Sequence, residues 1–182
     1  QVIAGGKTNR SVIDSTLHRD LGTYLQNLES KYELISRMKP LLSKQNGKVT
    51  AYEIHDNFLR FWFRFIYPYQ SLIERNLFSL LRSNISQNYE GFAGRTLERY
   101  FQDKVMETEK YTQVGNWWDR KGQNEIDLIA INEFDHQGIV AEIKHNEHKI
   151  SMSKLQEKID ALPKKDFGEY ELQAKGLSRK DM

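Results

Sequence analysis

"EIDLIAINEFDHQGIVAEIKHN", Glu125 to Asn146, reads as two apolar strands joined by a polar turn. Side chains alternate across a strand, so Glu142 and Lys144 share one face while Ile139, Ala141 and Ile143 fill the other. In the preceding strand Asp127 shares a face with Glu125, and Ile126, Leu128 and Ala130 point away. Strands joined by a short loop pair antiparallel, which brings Asp127 within reach of Glu142, although sequence leaves the register open. Two readings fit these charges. One is a solvated strand face carrying a cross-strand ion pair. The other is a pair of carboxylates set out for a divalent cation, with a lysine to orient water or stabilise charge on a phosphate. Glu98, in the helical stretch "GRTLERYF", is the candidate for a further carboxylate.

Outward from this hairpin the pattern continues as alternating layers. "YEGFAGRTLERYFQDKVMET" predicts a helix from Gly91 or Gly94 to Glu107, burying Phe92, Leu97, Tyr100, Phe101 and Val105. "YTQVGNWWDR" reads as a strand entering a loop. A helix in "SMSKLQEKIDALP", stopped by Pro163, and a strand in "YELQAKG" follow the hairpin. Helix, three strands, helix, strand is the order of an α/β (α+β) domain with a mixed sheet.

Upstream, Asn9 or Ser11 caps a helix that runs through Leu28, followed by strands Tyr32 to Met38 and Val49 to Ile54. Asn46-Gly47 between them is a two-residue hairpin signal. Helix plus hairpin is the second half of a winged helix-turn-helix, with its first helices expected before Gln1. "HDNFLRFWFRFIYPY" predicts a helix capped by Asp56 that buries Phe58, Leu59, Trp62, Phe63 and Ile66, and Leu72 to Ser83 predicts another. We divide the chain into residues 1–67, a winged-helix-like segment with an aromatic linker helix, and residues 68–182, the α/β domain.

Composition narrows the function classes. A net charge of +2 is too mild to imply a polyanion partner by itself, so any nucleic-acid contact has to come from local patches. The absence of cysteine excludes disulfides, thiolate metal sites and a Cys nucleophile, and a reducing cytoplasm is the expected compartment. No apolar run reaches the roughly 18–20 residues needed to span a bilayer, so no membrane partner is expected. The first residue is Gln1 rather than Met, and the sequence reads as a piece of a longer protein.

"EIDLI…AEIKHN" resembles the Asp…Glu-x-Lys core of the PD-(D/E)XK nuclease superfamily. The stretches "YEIHDNFLRFWFRFIYP", "YEGFAGRTLERYF", "NWWDRKGQNEIDLIAI" and "VAEIKHN" together resemble the C-terminal region of an archaeal-type AAA ATPase family. In that family a P-loop domain precedes a winged helix and a nuclease-like domain. The resemblance spans nearly the whole chain, which itself contains no G-x-x-x-x-G-K-[ST]. It implies Asp127 and Glu142 as ligands of Mg²⁺ (or Mn²⁺), Lys144 as the catalytic lysine, and Glu98 as an auxiliary ligand or water-positioning group. It implies DNA as substrate, ATP only through an upstream domain of the same protein, and is compatible with a homo-oligomer. The competing expectation is a catalytically idle nuclease fold that binds DNA or protein and regulates the ATPase.

Other residues are read more simply. His145 and His148 flank the motif without a third zinc ligand at sensible spacing, and are taken as loop histidines. Of Trp117 and Trp118, one ring is expected in the core and the other over the site. The helix Ser11 to Leu28 is the candidate recognition helix, with Lys7, Arg10, His18 and Arg19 placed to meet phosphates and Asp14, Asp20 and Glu29 diluting that patch.

Overall fold

The structure, a computed structural model, describes residues 1–44 and 49–182. The chain forms two compact units. The first holds Gln1–Lys39 and resumes after the gap to end at Tyr89; the second takes the loop that begins at Pro40 and then Glu90–Met182.

In the first unit the expected single helix is two: α1 (Arg10–Leu17) and α2 (Gly22–Ser30). The break comes at His18, which adopts a left-handed conformation at φ 52° and closes α1. Carboxylates then hold the turn, since Asp14 Oδ1 accepts from the Leu21 amide at 3.0 Å and Asp20 Oδ1 from the Gly22 amide at 2.7 Å. Arg10 spans both carboxylates, at 3.4 Å to Asp14 and 2.9 Å to Asp20. A Cβ on Gly22 would lie 2.6 Å from the Arg10 guanidinium, so a larger residue there would make the arginine shift from its present path to Asp20.

Strands β1 (Ile35–Met38) and β2 (Ala51–Ile54) pair antiparallel, Ile35 opposite Ile54 and Met38 opposite Ala51. The predicted Asn46-Gly47 turn lies outside the described residues. Ile13, Leu21, Leu25, Ile35, Tyr52 and Ile54 form the core of this unit.

Asp56 caps α3 (Asn57–Phe61) as expected, accepting from the Leu59 amide at 2.7 Å. Of the predicted apolar face, Leu59 and Phe63 pack against the core of this unit, while Phe58 and Trp62 are exposed. Trp62–Ile66 forms a π-helical turn, and the extra residue per turn rotates the face. Phe65, within this turn and outside the predicted face, reaches the core at 1% exposure. Pro68 sits at the start of a short 3₁₀ turn, Tyr67–Tyr69, where its missing N–H costs nothing, and helical structure continues into α4 (Gln70–Glu74). Left-handed Asn76 separates α4 from α5 (Phe78–Met106), so the helix predicted over Leu72 to Ser83 is interrupted. The unbroken α5 carries the division between units at Tyr89 and Glu90.

The second unit is an α/β fold. Strands β3 (Gln113–Trp118), β4 (Glu125–Asn132) and β5 (Gln137–Lys144) form an antiparallel meander. After α6 (Met152–Asp160) and the single turn α7 (Lys164–Phe167), β6 (Glu171–Ser178) pairs parallel to β5, giving the mixed order β3-β4-β5-β6. Leu97 and Phe101 of α5 cover one face, packing on Leu128, Ala130, Ile139, Ala141 and Ile143. On the other face Leu155, Leu162 and Phe167 pack on Trp117, Ile126, Ile129, Ile131 and Val140. Both faces of β4 and β5 are thus dry, and each fully buried Ile, Leu or Val contributes about 1.5–3 kcal/mol. Charged groups fit only at the strand ends. Gly138 admits the close approach of β4 and β6, since a Cβ there would meet Leu172 at 2.8 Å and the Ala130 carbonyl at 2.9 Å.

Candidate functional site

Asp127 occupies a bulge. Gly115 pairs with Ile129 but Trp117 with Ile126, so one residue of β3, Asn116, faces two of β4, Asp127 and Leu128. The last β4–β5 partners at this end are Leu128 and Ala141, and beyond them the strand is held by a side chain. That side chain is Asp127: Oδ2 accepts from the Ile143 amide at 2.8 Å and from Lys144 Nζ at 3.1 Å. Lys144 Nζ also lies 3.5 Å from Glu142 Oε1. One ammonium is therefore shared by the two carboxylates that the sequence places on adjacent strands. Their side chains are 16% and 12% exposed, against 35% for the lysine. Glu142 Oε2 in turn accepts from the amide of Ser151, the N-cap of α6, at 3.1 Å.

Electrostatics fixes the state of the lysine. Burial works to lower its pKa, but the charges of Asp127 and then Glu142, with their hydrogen bonds, outweigh it and the net shift is upward. Lys144 is a cation at neutral pH, able to stabilise negative charge and unfit as a base.

Glu98 lies on α5 between Leu97 and the next turn, 18% exposed, paired with Arg95 Nη1 at 2.8 Å. Burial raises its pKa; Arg95 pulls it back, Asp127 pushes it further up, and the weaker pull of Lys144 leaves the net shift upward. One turn on, Gln102 Nε2 donates to the Asp127 backbone carbonyl at 3.2 Å. Arg95 and Gln102 were missed in the sequence, although their i, i+3, i+7 spacing with Glu98 puts all three on one helix face. Among the described residues, no group of three or more His, Asp or Glu side chains is placed to hold a metal ion, so Glu98 does not join Asp127 and Glu142 as a third ligand.

The remaining expectations resolve individually. Trp117 packs in the core, and Trp118 pairs with Glu125 at the end of β3. His148 is exposed, and His145 Nε2 is buried with no hydrogen-bond partner among the described residues. In the first unit Lys7 Nζ contacts Thr16 Oγ1 at 3.3 Å, Arg10 staples the α1–α2 turn, His18 is the αL cap, and the Arg19 guanidinium sits 5.0 Å over Tyr24. α2, the second helix of the pair, carries no basic residue.

Residues 62–159, covering β3 to β5 with the flanking helices, match the family described as "Archaea bacterial proteins of unknown function" (DUF234). The chain belongs to this family. A further similarity is to an uncharacterized protein of Methanocaldococcus jannaschii, MJECL04, at 34% identity over 139 residues. That alignment takes in 72% of this chain and 30% of the relative, so the chain spans about a third of the length of that protein. No solved structure matches the chain. Among the described residues, no helix is long and apolar enough to cross a membrane.

Proposed function

We propose that the second unit is a metal-dependent DNA phosphodiesterase domain of the PD-(D/E)XK type. In the whole protein it would follow a P-loop ATPase domain and a winged helix in a reducing cytoplasm. The observation that carries the reading is the single cation, the Lys144 ammonium, shared between Asp127 and Glu142 across adjacent strands.

The donor set fits Mg²⁺ or Mn²⁺. Mg²⁺ binds through one or two carboxylates and otherwise keeps its waters or takes phosphate oxygens, so an open pair of hard ligands suffices. Asp127 and Glu142 already hold a positive charge between them, and the metal would replace or join it. When bound, the ion supplies Lewis-acid polarisation of a phosphoryl oxygen and a more acidic water. The protein's own part follows from its charges. Lys144, held as a cation, neutralises charge growing on the equatorial phosphoryl oxygens and orients water through its N–H donors. Glu98, whose proton affinity is raised, is the carboxylate suited to accept the proton of the attacking water. Asp127, tied to Ile143 and Lys144, keeps the second ligand in register with the first.

Mg²⁺- or Mn²⁺-dependent cleavage of branched, single-stranded and duplex DNA is the test. Wild type should cut at least one substrate, and Glu142→Ala and Lys144→Ala should abolish it. Cleavage that persists in both variants would assign the activity elsewhere.

A second reading, an idle nuclease fold that binds DNA or protein and regulates the ATPase, is favoured by one observation. Both carboxylates already serve the fold, Asp127 as acceptor for the Ile143 amide and Glu142 for the Ser151 amide. Binding of DNA with no cleavage of any substrate would select it.

A further inference from the structure

The turn between β4 and β5, residues 133–136, stands at the end of the sheet away from Asp127 and Lys144. Phe134 projects from it. At 88% exposure it is the most exposed large apolar side chain among the described residues. The turn holds this ring out on a fixed backbone. Asn132 Oδ1 accepts from the Phe134 amide at 2.9 Å, and Asp135 Oδ1 from the Gln137 amide at 3.0 Å. Asn132 Nδ2 donates in turn to the Lys110 carbonyl at 3.1 Å. Asn132 and Asp135 make these bonds, so the shape of the turn asks for no aromatic residue at 134. One exposed ring is ordinary on a protein surface. What sets this one apart is the hollow beside it.

α6, α7 and the start of β6 enclose a hollow of about 420 Å³ lined by Ile159, Leu162, Phe167, Tyr170 and Leu172. It lies at the same end of the sheet as the turn, because Gln137 pairs with Glu171 and the Glu171 amide donates to the His136 carbonyl at 2.8 Å. The His136 and Tyr170 rings, 5.7 Å apart, connect the two features. Apolar walls that include two aromatic rings suit a benzyl side chain, which packs offset or edge-to-face on such rings. The charges fit as well. Glu133 and Asp135 flank Phe134. Of the two charged groups in the lining, Asp160 is bonded by Gln156 Nε2 at 3.0 Å, whereas Lys164 is an exposed cation. Around the rim Lys165 offsets Asp166, and Glu169 lies 3.9 Å from His136 Nδ1.

We propose that Phe134 of one copy of this chain seats in the Ile159–Leu162–Phe167–Leu172 hollow of a second copy, and that the second copy returns the contact. Knob and hollow side by side on one chain make that surface self-complementary, and a two-fold axis closes the pair. Glu133 and Asp135 of each copy then meet Lys164 of the other. Each inserted ring brings about 150–250 Å² to the contact. The interface therefore stays below about 1,200 Å² and belongs to the weak, reversible class. Asp127, Glu142 and Lys144 stand at the opposite end of the sheet, so the contact does not touch them.

Sedimentation equilibrium of the chain from about 1 µM to about 1 mM tests the pairing. Wild type should pass from monomer to dimer within that range. Phe134→Ser should raise the dissociation constant at least about a hundredfold, since two rings leave the contact. Its melting temperature at the lowest concentration should match wild type, because the ring is 88% exposed in the monomer. Glu133→Lys and Lys164→Glu should each weaken the dimer alone. An equimolar mixture of these two variants should associate more tightly than either, because both contacts then join opposite charges. A wild type that stays monomeric to about 1 mM overturns the proposal and leaves the hollow to a segment of a different protein. Association that persists unchanged in Phe134→Ser, or a mixture no tighter than its components, overturns it as well.

Discussion

Removing the Asp127 carboxylate should unzip the end of the central strand pair before it does anything else. Ile143 is 4% exposed, and its amide donates to Asp127 Oδ2 beyond the last β4–β5 backbone partners. Asp127→Ala leaves that amide buried and unpaired, at a cost of about 1–3 kcal/mol. Lys144 loses its nearer partner at 3.1 Å but keeps Glu142 at 3.5 Å and is 35% exposed, so its share is held by solvent screening to about 0.5 kcal/mol. A total near 2–3 kcal/mol corresponds to a fall in melting temperature of about 10–20 °C for a domain of this size. Asp127→Asn keeps an oxygen for the amide and should cost about 1 kcal/mol or less. Thermal unfolding gives the totals, and amide hydrogen exchange at Ile143 gives the cause, since opening should be local to this bond. Protection of the Ile143 amide in Asp127→Ala equal to that in wild type would refute the view that the side chain completes the ladder.

Three further outcomes follow from the same structure. Phe65→Ala should lose about 3–5 kcal/mol in denaturant unfolding, while Phe58→Ala should change stability by no more than about 0.5 kcal/mol; equal effects would contradict the burial of Phe65 in the core. Glu98 binds its proton more tightly folded than unfolded, so its contribution is present below the ordinary glutamate pKa and is lost as pH rises through the raised folded value. Glu98→Gln should therefore gain stability relative to wild type between about pH 4 and neutrality, measured by melting across pH, and a parallel pair of curves would contradict the shift. Gly94→Ala should stabilise by about 0.5–1 kcal/mol in chemical denaturation, because the new methyl meets nothing within 4 Å and the helix gains propensity. A destabilised variant would mean that α5 is crowded there.

The strand pair was legible because its signals are local. Apolar alternation and a polar turn fix Gln137–Lys144 as a strand whatever surrounds it, and the charges at 127, 142 and 144 could only sit where the dry layers end. The Asp56 cap was legible for the same reason. The bulge at Asp127–Leu128 was not, because an inserted residue leaves no mark in an apolar run; only pairing with β3 reveals it. Likewise the π turn at Trp62–Ile66 defeats any periodic reading of "FLRFWFRFIYPY", where nearly every position is aromatic or aliphatic and the face is chosen by the backbone. The split between α1 and α2 turns on Asp14 and Asp20 bonding to amides across a tertiary turn, with the left-handed residue a histidine rather than a glycine. Arg95 and Gln102 looked like an ordinary polar helix face until Asp127 was found at its end.

The double employment of Asp127 has a consequence for how such chains diverge. A descendant that stopped cutting would still need an acceptor for the Ile143 amide, so selection for folding alone would hold this aspartate in place. Glu142, as acceptor for the amide of the α6 N-cap, would drift almost as slowly. Glu98 is hydrogen-bonded to a neighbour on its own helix, Arg95, and relaxed selection would reach it first. Among relatives, the surviving motif on the two strands would be a record of architecture, and the residue at position 98 the better register of use.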